Sequence, residues 1–187
     1  MLKLPRTIRL DPSDTFVFAR AAEPGEWAVS GAFVFWDCED AAKLDTKSRV
    51  ALRSGFLGLD SLGWSTLAVV TEATEADRAE AVERLATQLV AQFGAPDLDA
   101  ARASAEEEVA FAASLCDHPT QTLLAVRRSI EKGELHEEFR TLRPREPEIG
   151  GDPLHAHARA FTFREVEGED EPVEEIDLLG LLKTEEK

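Results

Sequence analysis

The chain has 187 residues, 21 of them basic and 37 acidic, and a formal net charge of −16 at pH 7. This charge repels phosphate groups, so it argues against nucleic acid and anionic membrane surfaces as partners. No apolar run approaches the ~20 residues that a bilayer requires, and two cysteines are too few for a disulfide framework. Because the first residues also lack the apolar core of an export signal, we expect a cytoplasmic protein with reduced thiols.

The N-terminal third of the sequence predicts three strands joined by short turns, as in an antiparallel meander. The first comprises residues 2–4 and 7–10, in which apolar and polar side chains alternate. The second comprises residues 15–18 and the third residues 27–36, where Gly31 is a candidate β-bulge.

The middle of the sequence predicts helices. Residues 45–53 predict a short helix with Asp45 as its cap, and residues 66–71 predict a buried strand. Two longer helices follow over residues 74–93 and 99–116, each with a capping residue and an apolar stripe at helical spacing. The stripes are Val82, Leu85, Leu89, Val90 and Phe93 in the first helix, and Ala101, Ala105, Val109, Ala112 and Leu115 in the second.

The remaining elements complete the predicted fold class. Residues 122–130 and 135–142 predict a hairpin, and residues 158–166 predict a last strand. Strand pairs separated by a helical block indicate an α+β fold, in which an antiparallel β-sheet carries the two principal helices. We predict one such domain over residues 1–164, followed by an acidic C-terminal tail over residues 165–187.

The tail predicts a docking segment. It holds ten acidic and two basic residues, and its first part is typical of a solvated linker. The apolar run that follows contains the candidate partner-binding residues Ile176, Leu178, Leu179, Leu181 and Leu182. Such a run binds a groove as a helical turn or adds to a sheet edge. Its target is the same chain, a homodimer mate or another protein.

A cysteine and a histidine at the end of the second long helix form the sharpest candidate site. Cys116 and His118 supply ligand types that zinc and iron prefer, and Glu108 lies two turns earlier on almost the same face. The further ligands that such a metal site needs are sought among Cys38, His136 and the pair His155 and His157. The simpler alternative, that Cys116 is a core residue and His118 caps the helix, is favoured.

The sequence contains no motif that specifies a reaction or a cofactor. The patterns GxSxG and HExxH and the phosphate-binding loops are all missing. Trp27, Trp36 and Trp64 are predicted to lie in the core, and their exposure would instead indicate a binding surface.

Several stretches resemble an uncharacterised family of small bacterial proteins of unknown function. They are residues 6–14, 31–36, 53–58 and 113–119, and the resemblance covers residues 4–145 and leaves the tail outside. The family has no assigned activity. The resemblance implies an accessory role near the maturation of molybdenum enzymes, and it identifies no site residue.

Three functional hypotheses follow. The first is an accessory or binding protein without catalytic activity, whose partner is another protein or a homodimer mate. The second is a metal-binding protein or metal-dependent enzyme that uses the Cys/His/Glu site. The third is a ligand pocket lined by aromatic residues.

Overall fold

The computed structural model describes residues 1–144 and 164–166, which form an α+β fold as predicted. The strands are β1 (Lys3–Ile8), β2 (Ala28–Val29), β3 (Phe56–Gly58), β4 (Trp64–Ser65), β5 (Leu67–Glu72), β6 (Leu123–Glu131), β7 (Glu134–Pro144) and β8 (Arg164–Val166). The helices are α1 (Ser13–Val17), α2 (Thr46–Ser54), α3 (Glu75–Gln92) and α4 (Leu98–Ser114), and two 3₁₀ turns span Ala32–Phe35 and Ala41–Lys43.

The strands form two antiparallel sheets. The larger has the order β1-β5-β6-β7-β8 and the smaller has the order β2-β3-β4. A backbone bridge between Arg6 and Trp27 connects the β1 edge to the beginning of the smaller sheet. The predicted N-terminal meander is wrong, because β1 pairs with β5 and β2 pairs with β3, which both come later in the chain.

The predicted strand at residues 15–18 is also wrong, since most of it lies in α1. Its aromatic and β-branched residues favour a strand locally, but tertiary contacts override that preference. Buried Asp14 accepts hydrogen bonds from the backbone nitrogen of Thr66 at 3.1 Å and from its hydroxyl at 2.6 Å. These bonds attach the start of α1 to the chain just before β5.

The predicted strand at residues 27–36 ends at Val29 and continues into the first 3₁₀ turn. Gly31 is not at a bulge. It has a φ of 77° and precedes the turn in the left-handed conformation, which glycine adopts without a steric penalty.

The long helices are confirmed, and their ends follow from capping. Thr74 and Asp77 form a reciprocal capping box on α3, and Asp97 accepts a hydrogen bond from the nitrogen of Ala100 on α4. Leu85 is fully buried. Val90 and Phe93 are exposed, contrary to prediction, so the buried stripe of α3 is narrower than the sequence suggests.

The hairpin is confirmed as well. β6 and β7 pair from Glu131↔Glu134 to Leu123↔Leu142, around a turn whose central residues are Lys132 and Gly133. The last predicted strand is confirmed only at its end, because β8 begins at Arg164. The part from residue 158 to residue 163 lies outside the described residues.

Apolar side chains form three clusters that layer the elements. One packs α3 and α4 on the smaller sheet and Leu4. A second lies between the two sheets and includes Phe56, Leu124 and Val126. The third lies under α2 and the 3₁₀ turns and includes Phe18, Phe35 and Leu52.

The first 3₁₀ turn packs against the indole ring of Trp64. Phe35 stacks on its ring with centroids 5.4 Å apart. A Cβ atom at Gly31 would lie 2.7 Å from Leu57 Cβ and 2.9 Å from a ring carbon of Trp64. The turn therefore packs against Trp64 only because Gly31 has no side chain.

We expect Gly31→Ala to lower the free energy of unfolding by about 2–4 kcal/mol, because it adds a clash to a left-handed backbone. The matched control is Gly25→Ala, since Gly25 has a φ of 89° but no atom within 4 Å of its Cβ position. This control should cost only about 1–2 kcal/mol. Urea unfolding of both variants measures the difference, and equal losses would contradict the close packing on Trp64.

Candidate functional site

Arg128 lies in the interior because strand geometry places it there. Alternate residues of β6 face the same side, so Arg128 shares the inward face with Leu124 and Val126. Its side chain is 0% exposed. A charge at this depth is tolerated only where hydrogen bonds replace its hydration.

All five N–H groups of the Arg128 guanidinium have acceptors. Nε donates to Oε1 of Glu137 at 2.8 Å, across the strand pair. Nη1 donates to the carbonyl oxygens of Leu52 at 3.2 Å and Gly55 at 2.7 Å. Nη2 donates to the carbonyl oxygen of Ser30 and, at 3.1 Å, to its hydroxyl. Because a guanidinium has five donors, none is left for a ligand.

These bonds join three separate parts of the chain. Leu52 and Gly55 belong to the C-terminal end of α2, where helix carbonyls lack partners within the helix. Ser30 immediately precedes the first 3₁₀ turn, and its hydroxyl also donates to Glu137. We conclude that Arg128 anchors α2 and this turn to the hairpin.

A second carboxyl group approaches the anchor from α4. Oε2 of Glu108 is buried and has no hydrogen-bond partner. Burial, and next the charge of Glu137, raise the pKa of Glu108, while the charge of Arg128 opposes the rise. One turn later, Phe111 contacts Phe139 edge-on with centroids 5.6 Å apart, so this side of α4 packs on β7.

We expect Arg128→Lys to lower the free energy of unfolding by about 3–5 kcal/mol. An ammonium group has three donors and no planar fork, so carbonyl groups at the end of α2 would lose their partner. Chemical denaturation is the measurement, with the exposed α2 residue Arg53→Lys as the control. A loss no larger than that of the control would show that the anchor contributes nothing to stability.

The raised pKa of Glu108 predicts an unusual pH dependence of the protein's stability. Because its pKa is higher in the folded chain, the unfolded chain releases this proton first as the pH rises above the ordinary value of 4.5. The contribution of Glu108 to stability is therefore lost between that value and its raised pKa. Glu108→Gln should stabilise the protein at pH 7 by on the order of 1 kcal/mol and have little effect at pH 4.

Urea unfolding at the two pH values checks this prediction. The matched control is Glu106→Gln, since Glu106 is exposed on the same helix. A Glu108→Gln variant that is less stable at pH 7 would contradict the raised pKa.

The structure places the proposed metal ligands in different surroundings. Cys116 is buried in the cluster between the sheets, and burial raises the pKa of its thiol to about 12. His118 is half-buried, and its carbonyl oxygen accepts a hydrogen bond from Lys3 at 2.6 Å. Glu108 faces Arg128 and Glu137 instead.

The other ligand candidates do not join these residues in the described part of the chain. Cys38 is half-buried under the 3₁₀ turns and His136 is exposed on β7. Within residues 1–144 and 164–166, no three His, Cys, Asp or Glu side chains come together as a metal would require. His155 and His157 lie outside the described residues, and so do the candidate partner-binding residues 176–182. The metal site and the docking segment therefore stay predictions.

The three tryptophans have three different environments. Trp27 is buried beneath the guanidinium of Arg6, which lies 3.5 Å from the ring centroid, and Trp64 is half-buried as the platform of the 3₁₀ turn. Trp36 is 84% exposed, so the prediction that it lies in the core is wrong. Trp36 follows Phe35 and has helical dihedral angles. A turn of this kind rotates successive residues by roughly 100–120°. Because Phe35 points inward, Trp36 points outward.

Acidic residues follow Trp36 in the sequence. Asp37, Glu39 and Asp40 are exposed, and the carboxylate of Asp40 caps the second 3₁₀ turn through the nitrogen of Ala42. The surface next to Trp36 thus combines a large apolar ring with negative charge. We call Trp36 and these three acids the Trp36 surface.

The two grooves that α3 lines on the described surface are charged. One of about 490 Å³ runs along α3 and is lined by Asp60, Glu80, Glu83 and Arg84, among other residues. Arg84 forms ion pairs with Asp60 and Glu80, so much of its charge is already neutralised. This lining gives no support to the hypothesis of an aromatic ligand pocket.

Comparison with known protein families matches most of the chain. Residues 1–160 match the family of unknown function DUF6505. The chain belongs to this family. This confirms the resemblance to an uncharacterised family, while comparisons with curated proteins and with solved structures gave no match. Among the described residues of this DUF6505 member, every helix is too short or too polar to cross a bilayer.

Proposed function

We propose that this DUF6505 member is a cytoplasmic accessory protein that binds a protein partner through the Trp36 surface and has no catalytic activity of its own. The exposure of Trp36 is the observation that supports this proposal, because Trp27 and Trp64 pack in the fold and Trp36 does not. Tryptophan is the residue type most enriched among those that dominate binding energy at protein interfaces.

Charge indicates the kind of partner. The chain has a net charge of −16, and Asp37, Glu39 and Asp40 add negative charge beside the ring. A partner that offers an apolar pocket with a basic rim complements this surface. The finer prediction, that the partner takes part in the maturation of molybdenum enzymes, rests on the resemblance of the sequence and is tested by the identity of that partner.

Affinity capture from a cytosolic extract of the source organism tests the proposal. The bait is the full chain, and the variant is Trp36→Ser. We expect the yield of a specific partner to fall about 30-fold or more, as when an interface residue worth ~2 kcal/mol is removed. Capture should also weaken with rising salt, since exposed charges are screened beyond about 8 Å at physiological ionic strength.

The matched control is Leu98→Ser, which removes another exposed apolar side chain at the start of α4. Both variants should melt at the temperature of the unmodified chain. If the two variants capture the same partner equally well, the Trp36 surface is not its binding site. Elemental analysis of the purified chain tests the alternative, a metal-binding protein, in the same preparation.

A further inference from the structure

The apolar surface at Trp36 continues beyond that residue. Side chains three residues apart in a 3₁₀ turn lie on the same side, so half-buried Phe33 shares a side with Trp36. Phe33 meets Phe93 edge-on, with ring centroids 5.3 Å apart. Phe93 directly follows the last residue of α3, and Val90 lies three residues earlier on the same helix face. We call Val90, Phe93, Phe33 and Trp36 the Phe93 strip.

The Phe93 strip is open to solvent over most of its length. Val90 is 40% exposed, Phe93 is 39% exposed and Trp36 is 84% exposed. With rises of ~1.5 Å per residue in α3 and ~2.0 Å in the 3₁₀ turn, the strip is roughly 15 Å long. Exposed apolar side chains that adjoin one another in this way are typical of an interaction site.

The construction of the Phe93 strip fits a helix as its ligand. The strip is built from a helix end and a turn, so it offers side chains to a partner rather than a strand edge. A helix binds such a surface through apolar residues at positions i, i+3 or i+4 and i+7 of one face. About ten residues of helix, or nearly three turns, span the strip.

The charge around the Phe93 strip is negative towards both ends. Asp37, Glu39 and Asp40 follow Trp36 in the sequence. At the other end α3 terminates, and the carbonyl groups of a helix C-terminus carry a partial negative charge. The last turn of α3 contains no basic residue, and residues 85–96 contain no charged residue that would offset this partial charge. Basic side chains of a partner are therefore favoured at both ends.

We propose that the Phe93 strip binds an amphipathic helix of the partner protein, whose apolar face is flanked by basic residues. The apolar face covers Trp36, Phe33, Phe93 and Val90, and the basic residues meet the acids beside Trp36 and the C-terminal end of α3. This proposal rests on the proposed function, because Trp36 belongs to both surfaces. It adds the secondary structure of the binding segment and two further binding residues, Val90 and Phe93.

A fluorescently labelled model peptide tests the proposal. The peptide has about 14 residues, all leucine or lysine, with the leucines at helical spacing on one face. Its binding to the full chain is followed by fluorescence anisotropy. We expect its affinity to fall about 10-fold in each of the variants Phe93→Ser, Val90→Ser and Trp36→Ser. A peptide with the same residues in scrambled order should bind the unmodified chain about 10-fold more weakly, since its leucines share no face.

The matched control is Phe111→Ser. Phe111 is 40% exposed near the C-terminal end of α4, and it also makes one edge-on ring contact, with Phe139 at 5.6 Å. Phe93→Ser and Phe111→Ser lose the same kind of packing and should melt at similar temperatures, but only Phe93→Ser should lose affinity for the peptide. Equal affinities of these two variants, or of the ordered and scrambled peptides, would overturn the proposal.

The same variants separate this proposal from the proposed function. If Trp36→Ser lowers peptide binding and partner capture while Phe93→Ser and Val90→Ser lower neither, the proposed function stands and the helix-binding strip is wrong. If Trp36→Ser leaves partner capture unchanged, the proposed function fails and this proposal fails with it. Sedimentation of the chain without peptide tests a second copy as the occupant, and a dimer that Phe93→Ser dissociates would also overturn the proposal.

Discussion

The guanidinium of Arg128 is the group on which the arrangement of this fold depends. It brings a full charge into the interior, and the desolvation of that charge is a cost of several kcal/mol that must be offset locally. Five hydrogen bonds offset it, and only one acceptor, Glu137, is itself charged. The carbonyl acceptors come from segments that no regular secondary structure joins to the hairpin. The bonds that satisfy the charge are therefore the same bonds that position α2 and the loop at Ser30.

The Trp36 surface depends on this anchor through a short chain of contacts. Ser30 is held by Arg128, and Gly31 follows with the backbone conformation that starts the 3₁₀ turn. Phe35 fixes the other end of the turn by stacking on Trp64. Since both ends of the turn are fixed, little conformational entropy would be lost if the proposed partner bound Trp36.

Sequence signals predicted the elements whose stability is local. The capping box at Thr74, the glycine turn of the hairpin and the apolar stripe through Leu85 each act within a few residues, and the structure has all three. The segments at residues 15–18 and 27–36 depend instead on Asp14 reaching Thr66 and on Trp64. Those partners are distant in sequence, so local secondary-structure propensity alone predicted strands for both segments.

The candidate site likewise has one part that the sequence predicts and another that depends on contacts distant in sequence. Alternation along β6 places Arg128 among Leu124, Val126 and Ile130, and a lone charge on an apolar face is a signal that the sequence contains. It indicates a buried anchor but not its acceptors, which are backbone carbonyls. The exposure of Trp36 has no such signal, because the 3₁₀ turn that directs it outward depends on Trp64.

Net charge determines how an exposed tryptophan can be tolerated on this protein. A second copy would bring its own charge of −16, and its own three acids, against Asp37, Glu39 and Asp40. That repulsion opposes self-association through Trp36 at low salt, although the ring alone would favour it. With a basic partner the two effects would act in the same direction, because binding would both desolvate the Trp36 ring and neutralise the acidic side chains beside it. The acidic surroundings of Trp36 thus disfavour contact with a second copy of this chain and would favour the basic partner that we propose.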